Sequence, residues 1–299
     1  MRSTDTDKIE WGAHARSPAA EEIDWRLQPG EAETCRAEPP VGRHAVARMY
    51  WAEHGGPIRT IIDGRKTRPT GTFRSIKGGG RSMPWDSKHE RTAMRLADLS
   101  SRVQFLLAQP HRLEILVRGN GGRPLIYFPD LLLKVHPSFL HDLQSGMPYA
   151  EAALMPCAAN IRPHHLKTLI VEVKADADSR DTDPKYARKL ELAKEVYSRR
   201  GFSFVTVRES QHLPKRPSLV ARYADLHKFV VLDARDYQSC LTCFGGRHTQ
   251  TEEALIAALG GGPSGYARLI ALHYRRFVSI EFSAQRGGGT VHLVAGAEP

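Results

Sequence analysis

Apolar positions in the middle of the chain follow first a helical and then a strand-like period. Residues 87–103 place five apolar side chains on one helical face: Ala93, Met94, Leu96, Ala97 and Leu99. Two apolar runs, 111–117 and 123–135, then flank the turn-forming segment Gly119–Gly122. This pattern predicts a helix followed by a β-hairpin.

The next apolar run, 166–176, is continuous, which is typical of a strand buried on both faces. A helical stripe over 183–199, closed by Gly201, and the apolar run 202–207 follow it. The proline-containing stretch 136–165 before it is interpreted as an insertion with one short helix near Tyr149–Met155. The order predicts an α/β fold, a mixed sheet flanked by helices whose last strand is reached by a helical crossover.

Beyond residue 215 the pattern predicts helix, turn, helix, strand, glycine turn and strand, which is the layout of a winged-helix domain. Such modules often place one helix in the major groove of DNA. Four basic side chains near the second helix are then candidates for facing a duplex: Arg268, His273, Arg275 and Arg276. A module that binds only protein is the alternative.

The chain therefore divides into three predicted parts. Residues 1–45 lack an apolar period and are expected to be a disordered acidic tail, in which Trp11 and Trp25 either dock on a partner or are incidental. Residues 46–212 form the α/β domain and residues 213–299 the winged-helix-like domain.

Charge is spread unevenly along the chain. The net charge is +10, but the first forty residues hold nine acidic and five basic side chains, so the remainder is about +14. A basic body of this kind is the pattern expected of a polyanion-binding protein, although charge alone also fits a basic protein without such a partner.

Two further features concern location and redox state. The sequence has no apolar stretch of membrane-spanning length and no secretory signal pattern, so a cytoplasmic protein without a membrane partner is expected. Four cysteines in 299 residues are no disulfide framework. Cys240 and Cys243 have the C-x-x-C spacing, but no second pair follows, so two thiols are favoured over a metal site.

Basic residues also cluster in the α/β part. The glycine- and proline-rich segment 65–85 holds six Lys and Arg, with Arg74 and Lys77 among them, and is either a DNA-phosphate arm or a solvated loop. Lys185 and Lys189, on the helix after the buried strand, either contact phosphates or belong to a solvated helix face.

Acidic residues supply the candidate chemistry. Glu172 and Lys174 are two apart on the predicted strand and therefore share a face, and Asp130 is predicted in the middle of the second run of the hairpin. One or two carboxylates suffice to hold Mg²⁺ on a phosphate, and a lysine beside it neutralises growing charge. Glu90, on the first helix, is a further ligand or holds a metal-bound water. An exposed ion pair is the alternative for Glu172 and Lys174, but the apolar residues around them disfavour it.

The order P-D, then E-x-K on a buried strand, then helix and strand, resembles the core of the PD-(D/E)XK nucleases. The segments 71–77 and 83–90, followed by Gln109-Pro110, narrow the resemblance to the TnsA-type transposon endonucleases. It covers roughly residues 65–295 and is patchy after about 210. The insertion between Asp130 and Glu172 is longer than the family pattern.

The resemblance implies a restriction-endonuclease-like fold and a catalytic set of Glu90, Asp130, Glu172 and Lys174. The implied metal set is Asp130, Glu172, Val173 and Glu90, with Mg²⁺ or Mn²⁺ as cofactor. It further implies a bacterial, nucleoid-associated protein that hydrolyses one strand at transposon ends, with a TnsB-like DDE transposase and a TnsC-like AAA+ ATPase as partners. A stand-alone repair or restriction-type nuclease and a non-catalytic DNA-binding scaffold are the alternative functions.

Overall fold

The computed structural model describes residues 35–37, 45–59, 69–117, 123–282 and 288–296, in which the chain is a mixed α/β protein with several sheets. The strands are β1 (Cys35–Ala37), β2 (Ala45–Trp51), β3 (Gly71–Arg74), β4 (Ser82–Trp85), β5 (Val103–Ala108), β6 (His111–Val117), β7 (Leu125–Tyr127), β8 (Leu131–Val135), β9 (Lys167–Lys174), β10 (Ser203–Arg208), β11 (Thr249–Thr251), β12 (Val278–Ile280) and β13 (Thr290–Leu293). The helices are α1 (Lys88–Leu99), α2 (Pro137–Gln144), α3 (Tyr149–Leu154), α4 (Pro184–Arg199), α5 (Glu209–His212), α6 (Lys215–Ala224), α7 (Ala234–Phe244), α8 (Glu252–Ala258) and α9 (Gly262–Tyr274), with 3-10 turns at Pro163–His165 and Ser179–Thr182.

The predicted buried strand is β9, which lies inside a four-stranded mixed sheet of order β10-β9-β8-β5. Its residues Leu169, Ile170 and Val171 are completely buried, and helices α1 and α2 pack on this strand. β10 is parallel to β9 and is reached through α4, whereas β8 is antiparallel to both β9 and β5. The mixed sheet and the helical crossover are therefore confirmed.

Helix α1 has the predicted apolar face, and all five side chains of that face are fully buried. The helix ends at Leu99, however, and Ser100 turns the backbone to ψ 121°. Residues 103–108 then form β5, a strand that the prediction had partly merged with the helix. The run is apolar on both faces because β5 is covered by α1 and pairs with β8.

The predicted hairpin is confirmed by β6 and β7, in which Leu113 pairs with Tyr127. The residues 118–122 that contain its turn lie outside the described ranges. The run 123–135 is not one strand: β7 belongs to the sheet β1-β2-β6-β7, whereas β8 belongs to the mixed sheet. Pro129, which has no N–H to donate, lies at the break. Asp130 therefore lies directly before β8 and not in the middle of a strand, where the sequence placed it.

The insertion and the tail are only partly as predicted. The short helix expected near Tyr149–Met155 is α3, and α2 precedes it as an additional helix. Most of the predicted tail, including Trp11 and Trp25, lies outside the described residues. Residues 35–37 of that tail nevertheless form β1, paired antiparallel with β2, so the expected disorder is wrong there. Backbone pairing of this kind requires no apolar period in the sequence.

The C-terminal part contains the predicted helices α8 and α9 and the strands β12 and β13, with β11 as a third strand in the order β11-β13-β12. α6 precedes these elements and packs on α1 and α3. α9 packs on α8 and α1, and its residues 269–274 are all buried. None of the described helices is alone long and apolar enough to cross a membrane; α8 and α9 reach that length and composition only as a pair bent by 108°.

Candidate active site

A cleft of about 820 Å³ opens where the N-terminus of α1, the end of β7 and the end of β9 meet. Five acidic side chains line it: Asp86, Glu90, Asp130, Glu172 and Asp178. Five basic side chains also line it: Arg59, Lys88, His89, Arg180 and Lys189. The cleft thus combines carboxylates with a set of cations suited to a polyanionic ligand.

Sheet register explains why Asp130 and Glu172 meet in this cleft. Leu131 of β8 pairs with Val171 of β9 in an antiparallel ladder. Continuing that register by one residue places Asp130 opposite Glu172, and opposite residues project to the same face. The structure therefore brings these two predicted acids together, although they are 42 positions apart in the sequence.

Glu172 is buried and has both carboxylate oxygens bonded. The Tyr127 hydroxyl donates to Oε2 at 2.7 Å, and the Tyr186 hydroxyl donates to Oε1 at 2.5 Å. Tyr127 lies at the end of β7 and Tyr186 in the first turn of α4. Two neighbouring elements thus fix the orientation of this carboxylate.

Asp130 is held by its side chain and by its backbone. Its Oδ2 accepts from the Val173 N–H at 2.7 Å, and its carbonyl accepts from the Gln109 N–H at 2.8 Å. Burial, followed by the negative charges of Glu172 and Glu90, raises the pKa of Asp130 well above its usual range. The site therefore concentrates more negative charge than its own residues neutralise around Asp130.

Glu90 is engaged at the start of its helix. Its carboxylate accepts from the Asp86 N–H at 2.8 Å and from the Ser87 hydroxyl at 3.0 Å, while Ser87 Oγ accepts from the Glu90 N–H at 3.1 Å. The spacing Ser87-x-x-Glu90 is that of a capping box, but here the Glu90 carboxylate accepts from the N–H of Asp86, one residue before the N-cap Ser87. Burial is the main cause that raises the pKa of Glu90 to about 7.

Lys174 lies on the same side of β9 as Glu172, as predicted, with its Nζ 3.7 Å from Glu172 Oε1. Its side chain is only 1% exposed, and Nζ also lies 3.3 Å from Asp178 Oδ2 and 3.9 Å from the centre of the Tyr186 ring. The ammonium is therefore packed between Glu172, Asp178 and Tyr186, beneath the surface of the cleft.

A divalent cation was predicted from these acids. Among the described residues no three His, Cys, Asp or Glu side chains are grouped closely enough to hold a metal ion together. Glu90 therefore does not join Asp130 and Glu172 as a third ligand of one metal ion. Two carboxylates remain, and the Val173 side chain carries no donor, so only its main-chain carbonyl is available. That set fits Mg²⁺, which binds through one or two carboxylates and keeps several waters.

Several residues of the cleft were not predicted from the sequence, among them Arg59, Tyr127, Arg180 and Tyr186. The Arg180 guanidinium bonds to both carboxylate oxygens of Asp178, the shorter distance being 2.7 Å, and this bond holds the pKa of Asp178 well below its usual range. Arg59 Nη2 lies 2.8 Å from Asp86 Oδ2. Tyr186 lies within the predicted helix 183–199, and no sequence pattern marks its hydroxyl as a partner of Glu172.

The predicted DNA-contact residues of the α/β part separate into two groups. Lys185 and Arg74 are exposed, and Lys189 is half-buried at the cleft. Lys77 is buried, and its Nζ donates to the carbonyls of Ala97 and Ser100 at the end of α1. The predicted phosphate contact of Lys77 is therefore wrong, because its ammonium is a helix cap inside the protein.

The three arginines predicted to face DNA from the C-terminal part are engaged with the protein. Arg268 Nη1 donates to the Leu259 carbonyl, Arg275 Nη2 to the Val230 carbonyl, and Arg276 Nε to the Ser101 carbonyl, at 2.8, 2.9 and 2.9 Å. All three guanidinium groups bond to main-chain carbonyls of the protein, but Arg275 is exposed and the Arg268 side chain is 37% exposed, so their contact with a duplex stays a prediction.

His273, predicted beside those arginines, is also buried. Its Nε2 lies 2.8 Å from the Leu99 carbonyl and its Nδ1 accepts from the Ile280 N–H. The ring therefore joins α1 to β12 inside the protein and is not available to DNA.

Cys240 and Cys243 both lie on α7 with free thiols. Burial, and next the neighbouring Cys243, raise the pKa of Cys240 to about 12. A thiol in such surroundings stays protonated and is a poor metal ligand.

Comparisons with known proteins do not identify a family for this chain. No protein-family model matches the chain, and no curated protein matches it significantly.

Proposed function

We propose that this chain is a metal-dependent DNA endonuclease of the PD-(D/E)XK type. The observation that carries the proposal is the convergence of Asp130 and Glu172 from adjacent strands on one cleft, with Lys174 beside Glu172. The sheet β10-β9-β8-β5 with its α4 crossover supports a restriction-endonuclease-like arrangement. The raised pKa of Asp130, caused by burial and neighbouring acids, supports a cation as the missing counter-charge.

Asp130, Glu172 and the Val173 carbonyl would hold Mg²⁺ or Mn²⁺, and Glu90 would hold a metal-bound water. When bound, this ion supplies polarisation of the scissile phosphate and a lowered pKa for the attacking water. Lys174 balances the charge of Glu172 from below the cleft. Arg180 and Lys189 lie where they neutralise phosphate oxygens of a bound strand. Because these groups contact the phosphate backbone of DNA, they position the strand for cutting but do not recognise its base sequence.

The narrower proposal is a TnsA-like subunit that cuts one strand at transposon ends, working with a TnsB-like transposase and a TnsC-like ATPase. It is supported by the sequence segments 71–77 and 83–90, which in the structure form β3, β4 and the capped start of α1 beside the cleft. The order α8, α9, β12 and β13 supports a winged-helix-like C-terminal part. Since residues 269–274 of α9 are buried, we assign that half of the helix to packing within the protein and propose that the C-terminal part also contacts partner proteins.

A non-catalytic DNA-binding scaffold is the second candidate function. It is favoured by the burial of Lys174 and by the absence of a three-ligand metal group among the residues that the structure describes. It shares the same cleft with the first candidate but does not cut DNA.

The test is a nicking assay on a plasmid with the candidate transposon ends, in Mg²⁺ or Mn²⁺, with and without the partner transposase. We expect one cut strand per end, leaving a 3′-hydroxyl and a 5′-phosphate. Asp130→Ala or Glu172→Ala should lower the cutting rate at least about 100-fold, because each removes a ligand and even outer-shell losses reach that size.

The matched control is Glu195→Ala, which removes an exposed carboxylate of α4 that pairs with Arg199 at 2.7 Å. It should cut like the wild-type chain. Cutting that survives the loss of Asp130 or Glu172 would refute the endonuclease proposal. Partner-independent cutting away from the ends would favour a stand-alone nuclease, and DNA binding without cutting would favour the scaffold.

A further inference from the structure

We propose that Tyr127 and Tyr186 are positioning residues of this site, which together fix the Glu172 carboxylate in the orientation that binds a divalent cation. The inference rests on the proposed function, because it assigns a task to two residues that do not themselves contact metal or DNA. It starts from a carboxylate whose two oxygens are each bonded to a different phenol, at 2.7 and 2.5 Å.

Tyr127 is well placed for this task by the sheet. It is the last residue of β7, is buried, and pairs with Leu113 of β6, so the neighbouring strand sets its backbone position. Its ring packs against Phe204 and Tyr197, with ring centres 6.5 and 6.4 Å away. A phenol fixed in this way has one donor to give, and it gives it to Glu172.

Tyr186 links the acid to the cations of the site. Its ring centre lies 3.9 Å from Lys174 Nζ, 4.9 Å from the Arg180 guanidinium carbon and 5.0 Å from Lys189 Nζ. The same residue thus donates to the acid with its hydroxyl and attracts three cations to its ring face. Its position is set by the start of α4, where Asp183 caps the helix.

The two phenols remain donors in the presence of the acids. Each hydroxyl has one hydrogen to donate, and the short distances to Glu172 show that both donate it to the carboxylate. Each oxygen of an ionised carboxylate has about two acceptor positions, so one phenol on each oxygen leaves room for a metal. Partners of this outer-shell kind usually change metal affinity or activity 10- to 100-fold when removed.

The experiment compares Tyr127→Phe and Tyr186→Phe with Tyr149→Phe. Tyr149 is an equally buried tyrosine, but its hydroxyl donates to the Ala93 carbonyl at 3.2 Å. Mn²⁺ affinity of the full chain is measured by calorimetry without DNA, so the readout does not depend on cutting. We expect about tenfold weaker binding for each of the first two variants and wild-type binding for Tyr149→Phe.

A second measurement separates positioning from general packing. The unfolding equilibrium constant of Tyr186→Phe is measured by urea denaturation in the wild-type chain and in the Glu172→Gln background. The proposed bond predicts that the substitution raises this constant about five- to tenfold more in the wild-type background, because a hydrogen bond to a charged group is stronger than one to an amide. Equal effects in both backgrounds would overturn the inference.

The outcomes also distinguish this inference from the proposed function. If the wild-type chain binds Mn²⁺ and both variants bind as tightly as Tyr149→Phe, the inference is overturned and the endonuclease proposal stands. If the wild-type chain binds no Mn²⁺ with or without DNA, the metal-dependent function is overturned, and the inference fails with it.

Discussion

At the scale of single residues, the cleft separates charges in a way that suits a phosphodiester. Glu172 is buried and Asp130 is half-buried, whereas the Arg180 side chain is 53% exposed at the rim and fixed by Asp178. An anionic backbone approaching such a site meets cations first and the acids only at the position of the cut. We therefore expect Arg180 to contribute to DNA binding independently of metal.

Arg180→Ala should weaken binding of a labelled duplex and lower the salt slope of log Kd by about 0.9, the value for one lost phosphate contact. Fluorescence anisotropy between about 50 and 200 mM salt measures both quantities. Lys194→Ala, an exposed lysine of α4 outside the cleft lining, is the control and should leave the slope unchanged. A wild-type slope in Arg180→Ala would show that this guanidinium touches no phosphate.

Sequence reasoning reached the acids of the site but not the residues that hold them. Asp130, Glu172 and Lys174 could be predicted, because polar residues that interrupt or end an apolar run stand out in the sequence. Tyr127 and Tyr186 were not, since an aromatic residue in an apolar pattern is expected in the core and its hydroxyl partner depends on tertiary structure. Arg180 lies in a 3-10 turn, where no sequence periodicity shows which way a side chain points.

At the scale of elements, α9 shows how a correctly predicted helix can be given the wrong surface. Its residues Leu269, Ile270, Ala271 and Leu272 are consecutive and completely buried. A helix that is apolar all round lies in a core, and this part of the pattern argued against an exposed recognition helix. The split of β7 from β8 was harder to predict, because a single apolar run contributes strands to two sheets and only Pro129 marks the break.

Arg276 provides the test of this placement. Its guanidinium joins the Ser101 carbonyl, Gln104 Oε1 and the Ala159 carbonyl, and so ties the end of α9 to the α/β part. Arg276→Ala should lower the free energy of unfolding by about 1–3 kcal/mol, because it removes three hydrogen bonds, one of them to the carbonyl of the buried Ser101. The affinity for DNA, measured on the folded variant, should not change.

The matched control for this prediction is Arg235→Ala, at an exposed position at the start of α7, which should change stability by less than about 0.5 kcal/mol. Both variants are compared by urea denaturation and by DNA binding. A loss of DNA affinity in Arg276→Ala without a loss of stability would return this arginine to the DNA interface.

At the scale of the whole molecule, buried histidines should set the acid limit of stability. His111 bonds through Nε2 to the Tyr197 hydroxyl at 2.7 Å, and His273 bridges α1 and β12. Burial lowers the pKa of both rings from 6.5 to about 3. The unfolded chain therefore takes up protons below pH 6.5 that the folded chain refuses, and the stability present above pH 6.5 is lost as pH falls toward 3.

Glu90 acts in the opposite direction over part of this range. Its raised pKa of about 7 means that it stabilises the fold at low pH and that this contribution is lost as pH rises from 4.5 through 7. Asp130, whose pKa is also raised well above its usual range, acts in the same direction as Glu90, so two carboxyls oppose the two histidines.

Below pH 6.5 we expect each buried histidine to lower the free energy of unfolding by up to about 1.4 kcal/mol per pH unit as the pH falls toward 4. His111→Gln, which cannot titrate and keeps a group able to bond to Tyr197, should reduce this slope. His164→Gln, at an exposed position, should not. Urea denaturation at several pH values measures the slope, and an unchanged slope in His111→Gln would contradict the burial of a neutral ring.

Locating the cation is the most direct test of whether Asp130, directly before β8, and Glu172, on β9, hold a catalytic ion. Crystals of the full chain with a DNA duplex and Mn²⁺ would show it by anomalous diffraction. We predict an anomalous peak within coordination distance of Asp130, Glu172 and the Val173 carbonyl, and we expect this peak to be lost in Asp130→Asn. A wild-type crystal with DNA in the cleft and no peak between these groups would contradict it.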